Sequence, residues 1–283
     1  NISHQTESYE LPKLKKQIKW VAPKPSDFLN RTFLGYHRDN GDVGTENNWL
    51  IIPLVFCQNR NVEILKKIML DKFGYNKSVK DTYNIDELID KYNSGASENE
   101  LLELNLIKSS HKNINKPLFS NVDGIYFLTH DGGCGGATSD AVTLCNLLAG
   151  YINNPNIAGA TVLSLGCQHA QIKLVEKALK RIAPNIKKPI YFLEQQQSKS
   201  EPEFLADAIK KTFIGLTQAN KVSRTPAPLS KLKLGLECGG SDGFSGISAN
   251  PTLGYVSDII VGLGGSAILS EFPELNGVEQ ELI

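Results

Sequence analysis

Cys134 sits inside Gly132-Gly-Cys-Gly-Gly136, directly after His130 and Asp131. A thiolate serves as nucleophile or metal ligand, and imidazole or carboxylate carries protons. Glycine accepts positive φ and lets backbone approach a ligand, so this turn also offers a row of N–H groups. Two later stretches repeat the arrangement. Val162-Leu-Ser-Leu-Gly-Cys-Gln-His169 ends an apolar run with Gly166 and Cys167, and Leu234-Gly-Leu-Glu-Cys-Gly-Gly-Ser-Asp-Gly243 ends another with Cys238. In an α/β sheet the carboxyl ends of strands open on the crevice where ligands bind. The pattern predicts that at least two of Cys134, Cys167 and Cys238 line one site. Thiolate ligation of iron, or of an iron–sulfur cluster with one open iron position, is the chemistry such a site would do. The chain has no closely spaced CxxC pair, so a metal site here requires distant turns to meet in space. The competing reading makes each thiol a small buried hydrophobe. That reading fits Cys145 beside Leu144 and Leu147, while Cys57, after another apolar run, is balanced between core and site.

Further polar residues gather at the same kind of position. His130 is the first choice for a general base, with Asp131 beside it, and the alternative for each is a hydrogen-bonded structural role. His169 is either a site residue or part of a helix start. Arg38 suits a bidentate carboxylate clamp, whereas His37 beside it reads better as part of an exposed hairpin. Glu194, Ser241, Asp242, Glu271 and Glu274 are acids or a hydroxyl at strand ends, some of them there to hydrogen-bond helix starts. Asn61 is read as a helix cap. None of the glycine turns matches GxGxxG or GxxxxGK[ST], which makes nucleotide binding a weak alternative.

Composition narrows the field. The chain has 283 residues, 41% of them hydrophobic, and 30 basic residues balance 30 acidic ones. No basic excess favours nucleic acid or an anionic membrane. No apolar run reaches the length of a membrane-spanning helix, and the first residues lack the apolar region of a signal peptide. Five cysteines at wide spacing do not form a secreted disulfide framework. Reduced thiols in a cytoplasmic protein are expected. The start without Met and an ending that reads as a cut helix lead us to expect an internal piece of a longer protein.

The elements that must position these residues alternate. Residues 1–30 have linker composition. Asp39-Asn-Gly-Asp42 is a turn between two short extended runs. Apolar runs of strand type are expected at about 49–56, 122–129, 160–165, 189–193, 233–237 and 266–270. Helices are expected at about 62–73, 139–153, 170–183, 202–219 and from Asn250-Pro251 onward. Residues 76–116 read as a polar, helical insertion without chemistry of its own. Strands and helices in this order predict an α/β fold of mostly parallel sheets with crossover helices, Rossmann-like, in two subdomains. The first subdomain would cover 31–225 and the second would begin at 226–283.

Several of these stretches together resemble one family, the altronate and galactarate dehydratases. The residues that carry the resemblance are Gly35-Tyr-His-Arg-Asp-Asn-Gly-Asp-Val-Gly-Thr45, His130-Asp-Gly-Gly-Cys-Gly135, Ser164-Leu-Gly-Cys-Gln168, Leu236-Glu-Cys-Gly-Gly-Ser-Asp-Gly243, Ser245-Gly-Ile-Ser-Ala-Asn-Pro251 and Gly264-Gly-Ser-Ala-Ile-Leu-Ser-Glu-Phe-Pro-Glu274. Phe56-Cys-Gln-Asn-Arg-Asn-Val62 looks most like the altronate branch. Glu46 stands where the family often has Arg, and Gln168 where it often has Glu. The resemblance implies a hydro-lyase of hexuronate degradation that takes D-altronate to 2-dehydro-3-deoxy-D-gluconate and requires iron or manganese. It also implies a small SAF-type domain ahead of Asn1, further chain beyond Ile283, and a fragment inactive without them. Galactarate dehydratase, the large subunit of sulfolactate sulfo-lyase, or a non-catalytic ligand-binding module are the alternatives, and a homodimer is a further partner expectation. On this reading Cys134, Cys167 and Cys238 hold the metal. His130 and Asp131 move protons, and Arg38 positions the sugar acid. Gly133, Gly135, Gln168, Ser241, Asp242 and Glu271 contact it.

Overall fold

A computed structural model of the chain describes residues 23–76, 81–109, 116–237, 239 and 243–271, with the side chains of 81, 82, 108 and 109 left out of the description. The described chain divides into two compact units. One is Phe33–Ala227, and the other comprises the residues before it and those from Pro228 onward.

The first unit opens with β1 (Thr32–His37) and β2 (Val43–Gly44), an antiparallel hairpin. Its turn is tied by Asn40, whose Oδ1 accepts from the N–H of Asp42 at 3.1 Å, the local side-chain bond expected of Asn in turns. β3 (Asn48–Pro53) follows, then α1 (Asn59–Lys72). The segment expected as a helical insertion holds two short helices, α2 (Ile85–Asn93) and α3 (Glu98–Leu102), and a small antiparallel ribbon of β4 (Asp81–Tyr83) with β5 (Ile107–Ser109). The α/β alternation resumes with β6 (Gly124–Phe127), α4 (Thr138–Asn153), β7 (Ile157–Ser164), α5 (Ile172–Ile182), β8 (Ile190–Glu194) and α6 (Glu201–Ala219). β9 (Thr225–Pro228) returns beside β1.

The central sheet has the order β6-β3-β7-β8, and every pairing in it is parallel. β3 and β7 are buried along their whole length, as parallel strands covered on both faces must be. Side chains alternate across β3. Trp49 and Ile51 join Val62, Leu65, Phe204 and Leu216 on the face covered by α1 and α6. Leu50 and Ile52 join Cys145, Leu148, Val175 and Leu179 under α4 and α5. The Trp49 indole N–H donates to Thr161 Oγ1 at 3.0 Å. Its ring lies so close to Gly215 of α6 that a Cβ there would collide with it. No other residue fits at that approach.

The second unit contains β10 (Lys233–Leu236), α7 (Gly243–Ile247), α8 (Ala249–Gly262) and β11 (Ser266–Leu269). β10 and β11 pair in parallel. The stretch expected as linker is not featureless, because Pro25–Phe28 forms a turn of 3-10 helix whose Pro25 ring rests on Gly262 of α8. The α/β expectation holds, with a Rossmann-like parallel sheet between two helix layers. No helix among the described residues is long and apolar enough to cross a membrane.

A candidate active site at the carboxyl ends of the parallel strands

Four connections leave the carboxyl edge of the central sheet, and hydrogen bonds tie each to the next. The segment after β3 meets the glycine turn through Phe56 N–H, which donates to Gly132 O at 3.0 Å. The glycine turn meets the segment after β7 at Gly133, whose carbonyl accepts from the N–H of His169 at 2.9 Å and of Ala170 at 3.0 Å. The segment after β7 meets the one after β8 where Gln196 N–H donates to Leu165 O at 3.1 Å. The circle closes where Gln58 Nε2 donates to Gln195 Oε1 at 2.5 Å. Gly133 adopts φ 97° with its α-carbon pressed against the backbone of Leu54 and Val55, so the turn is packed directly onto the β3 strand end.

This network brings two of the three expected thiols onto bonded, neighbouring turns. Cys134 follows Gly133, Cys167 lies two residues before His169, and both are exposed and unpaired. Cys57, on the adjoining turn, is exposed as well. Cys145 is buried in the core as expected, and burial pushes its thiol up to about 11. The N–H groups of Gly133, Cys134, Gly135 and Gly136 donate to nothing among the described residues. Gly133, Gly135 and Gly136 all have positive φ. The sign of φ alternates over Gly133-Cys134-Gly135, and consecutive N–H groups in alternating conformations can form a concavity that attracts anionic oxygens. Asp131 is exposed beside it.

Four expected roles change. His130 has no free nitrogen: Nδ1 accepts from Gly132 N–H at 3.2 Å, so Nε2 carries the proton and donates to Pro53 O at 2.8 Å. The ring builds the turn, and a base would need one of those positions empty. Gln168 is 2% exposed and its amide is spent. Oε1 accepts from Gly166 N–H at 2.7 Å, while Nε2 donates to Ser164 Oγ at 2.6 Å and Ala170 O at 3.2 Å. It shapes the Cys167 turn from beneath and offers nothing to a ligand.

Arg38 belongs to the other end of the sheet. Its Nε donates to Pro155 O at 2.7 Å, ahead of β7, and one Nη to Asn47 Oδ1 at 3.0 Å, ahead of β3. β7 is eight residues long, so at about 3.3 Å per residue the guanidinium stands some 25 Å from the thiol turns. Arg38 therefore does not share a site with Cys134. Asn61, expected as a cap, lies inside α1 and is buried, with Nδ2 donating to Gln58 Oε1 at 2.8 Å. Its Oδ1 has no partner among the described residues. Buried Gln58 and half-buried Gln195, which bond to each other at this edge, were given no role by sequence reasoning, where their only sign is a polar stretch some residues after β3 and directly after β8. Glu271 is exposed at the end of β11 in the second unit. Cys238, Ser241 and Asp242 lie outside the described residues.

The comparisons with known proteins identify the family. The profile of the family described as D-galactarate dehydratase/Altronate hydrolase, second domain, matches residues 35–220, and that of D-galactarate/Altronate dehydratase, C-terminal, matches 229–283. The chain belongs to the galactarate/altronate dehydratase family. It is 34% identical to an altronate dehydratase of Bacillus subtilis over 254 residues, 90% of this chain and 41% of that protein. With an altronate dehydratase of Escherichia coli it shares 30% over 259 residues, 92% of this chain and 42% of the relative. It is also 25% identical to the (2R)-sulfolactate sulfo-lyase subunit beta of Chromohalobacter salexigens, over 89% of this chain and 50% of that subunit. The chain thus spans about four-tenths of these two altronate dehydratases. The boundary between the two family profiles, at 220–229, falls where the two structural units part.

Proposed function

We propose that the protein containing this chain dehydrates a sugar acid, D-altronate in the first place, to 2-dehydro-3-deoxy-D-gluconate, and that the glycine–thiol turns at the carboxyl edge of the sheet bind the reacting end. Two exposed thiols on turns joined through Gly133, one of them inside a row of uncommitted N–H groups, carry this reading. Loss of water from a polyhydroxy acid removes the proton from carbon 2 and expels hydroxide from carbon 3. The negative charge grows on the substrate carboxylate, and N–H groups held in place before the reaction stabilise it most where water is excluded. The row from Gly133 to Gly136 is suited to accepting that carboxylate.

The donor chemistry of Cys134 and Cys167 fits iron, which favours thiolate and, when bound, would supply Lewis-acid polarisation of the acid. Among the described residues no group of three His, Cys, Asp or Glu is close enough to hold a metal ion, so the remaining donors of an iron or manganese centre must come from outside them. With His130 committed to the turn, the proton on carbon 2 falls to His169 or Asp131. Both are exposed at the crevice, and neither side chain makes a hydrogen bond among the described residues. Imidazole is the commoner general base, and His169 is our choice. We place the enzyme in the cytoplasm on the strength of its unpaired thiols.

The test is to assay the full-length protein on altronate, galactarate and (2R)-sulfolactate side by side. Turnover of altronate, abolished by Cys134→Ser and cut by His169→Gln, is expected. An altronate activity indifferent to Cys134→Ser and to Cys167→Ser would refute the placement of the site. A preference for sulfolactate would overturn the substrate.

A further inference from the structure

At the amino end of the central sheet, remote from the thiol turns, the first unit holds a cavity of about 460 Å³. Cavities of this size are in the range that takes small ligands. Its lining includes His37 and Arg38 from the end of β1 and Lys187 and Lys188 from the segment before β8. Asn153 and Asn185 supply neutral amides.

The charges in this cavity are not balanced. Arg38 and Lys188 are partly buried, and every hydrogen bond that either makes goes to a neutral oxygen. Arg38 donates to Pro155 O, Glu46 O and Asn47 Oδ1, and its second terminal nitrogen makes no hydrogen bond among the described residues. Lys188 Nζ donates to the carbonyls of Ile152, Asn153 and Asn154 at 3.1, 3.1 and 2.6 Å. Neither forms a salt bridge among the described residues. Buried cations are ordinarily paired, since desolvation without an opposite charge is costly. Here burial and the neighbouring Arg38, against a smaller opposing pull from Asp42, hold Lys188 down to about 7. The position of Lys188 at the carbonyl end of α4 accounts for that one cation, because helix carboxyl ends attract positive charge. It gives no reason to set Arg38 beside it. Asp39 is the one acid in the lining.

We propose that this cavity is a binding site for a small anion, a carboxylate or phosphate on a hydroxylated body the size of a sugar. Arg38, through its uncommitted terminal nitrogen, and Lys187 take the anionic oxygens, Lys188 adds only its charge because its three N–H groups are committed to carbonyls at the end of α4, and Asn153 and Asn185 take hydroxyls. The site lies at the opposite end of the sheet from the dehydration site and does not depend on that assignment.

Titration calorimetry of the 283-residue chain with inorganic phosphate, D-gluconate and neutral sorbitol tests the proposal. At least one of the two anions is expected to bind saturably in the millimolar range, with no heat from sorbitol. Which anion binds distinguishes phosphate from carboxylate recognition. Lys187→Glu, which removes a contacting cation, and Lys188→Met, which removes a neighbouring charge, are each expected to weaken that binding about tenfold. Lys188→Met also removes three hydrogen bonds to α4, so Lys187→Glu, at an exposed position, decides if the first variant does not fold. The absence of saturable binding by either anion, or an affinity unchanged in folded Lys187→Glu, would overturn the proposal.

Discussion

Gly133 and Gly135 occupy the same turn with the same sign of φ, 97° and 71°, yet their surroundings differ. A Cβ on Gly133 would run into the Leu54 carbonyl, whereas one on Gly135 meets nothing within 4 Å. Gly133→Ala should therefore cost about 2–4 kcal/mol, from strain at positive φ together with overpacking against rigid backbone. Gly135→Ala should cost about 1 kcal/mol, from the strain alone. Urea denaturation of the two variants beside the wild type checks the difference, and equal losses would show that Gly133 is not wedged as described. Gln168 offers a second contrast. Gln168→Leu keeps the volume but strands Gly166 N–H and the Ala170 carbonyl, at an expected cost of about 1–3 kcal/mol. A ligand contact would leave stability intact and change only substrate affinity, so the same denaturation series separates the two roles. The sequence displayed the cysteines because a thiol beside glycine is unusual in composition. It concealed the commitments of His130 and Gln168, because their partners are backbone atoms of Pro53, Gly132, Gly166 and Ala170. Backbone partners leave no mark in residue types.

At the scale of elements, the alternation of apolar runs and helical periodicity located the sheet almost strand for strand. The run expected at 49–56 became Asn48–Pro53, and the one at 160–165 became Ile157–Ser164. Runs that are buried on both faces announce themselves by being continuously apolar. The position of Arg38 could not be read in the same way. The hairpin that carries it pairs with β9 in a separate small sheet, and which end of the main sheet it reaches depends on Asn47 and Asn156, not on its own motif. Asn156 Oδ1 accepts from Thr45 N–H at 2.8 Å, anchoring the hairpin at the start of β7. The same edge sets the behaviour of Lys188, which ties the approach to β8 to the end of α4. Its lowered value means that the unfolded chain, where lysine titrates near 10.4, binds the proton more tightly than the folded one. Between about 7 and about 10.4 the unfolded state thus holds more protons, and this group makes stability rise with pH across that window. Comparing Lys188→Met with the wild type by thermal unfolding from pH 6.5 to 9.5 should show the wild type gaining on the variant as pH increases. A constant difference between them would mean that Lys188 titrates normally.

At the scale of the whole chain, both clusters of buried side chains lie between Trp49 and Ala219. Every member of the parallel sheet and its two helix layers falls inside Phe33–Ala227. The unit also begins and ends on adjacent strands, because β1 and β9 are neighbours in one sheet. A chain whose ends meet in this way can be cut from its surroundings without opening its core. Residues 31–229 expressed alone are therefore expected to fold. Of the two tryptophans in the chain, that fragment keeps only Trp49, which is fully buried, bonded to Thr161 and packed against Gly215. Its fluorescence consequently reports on the centre of the sheet, while far-ultraviolet circular dichroism reports on the helices. Both signals should change in a single coincident transition in urea, as a two-state domain requires. If the tryptophan signal moves at lower urea than the helical signal, the sheet is not self-sufficient. In that case the unit draws part of its stability from chain outside 31–229, and the carboxyl-edge turns would have to be studied in the longer protein.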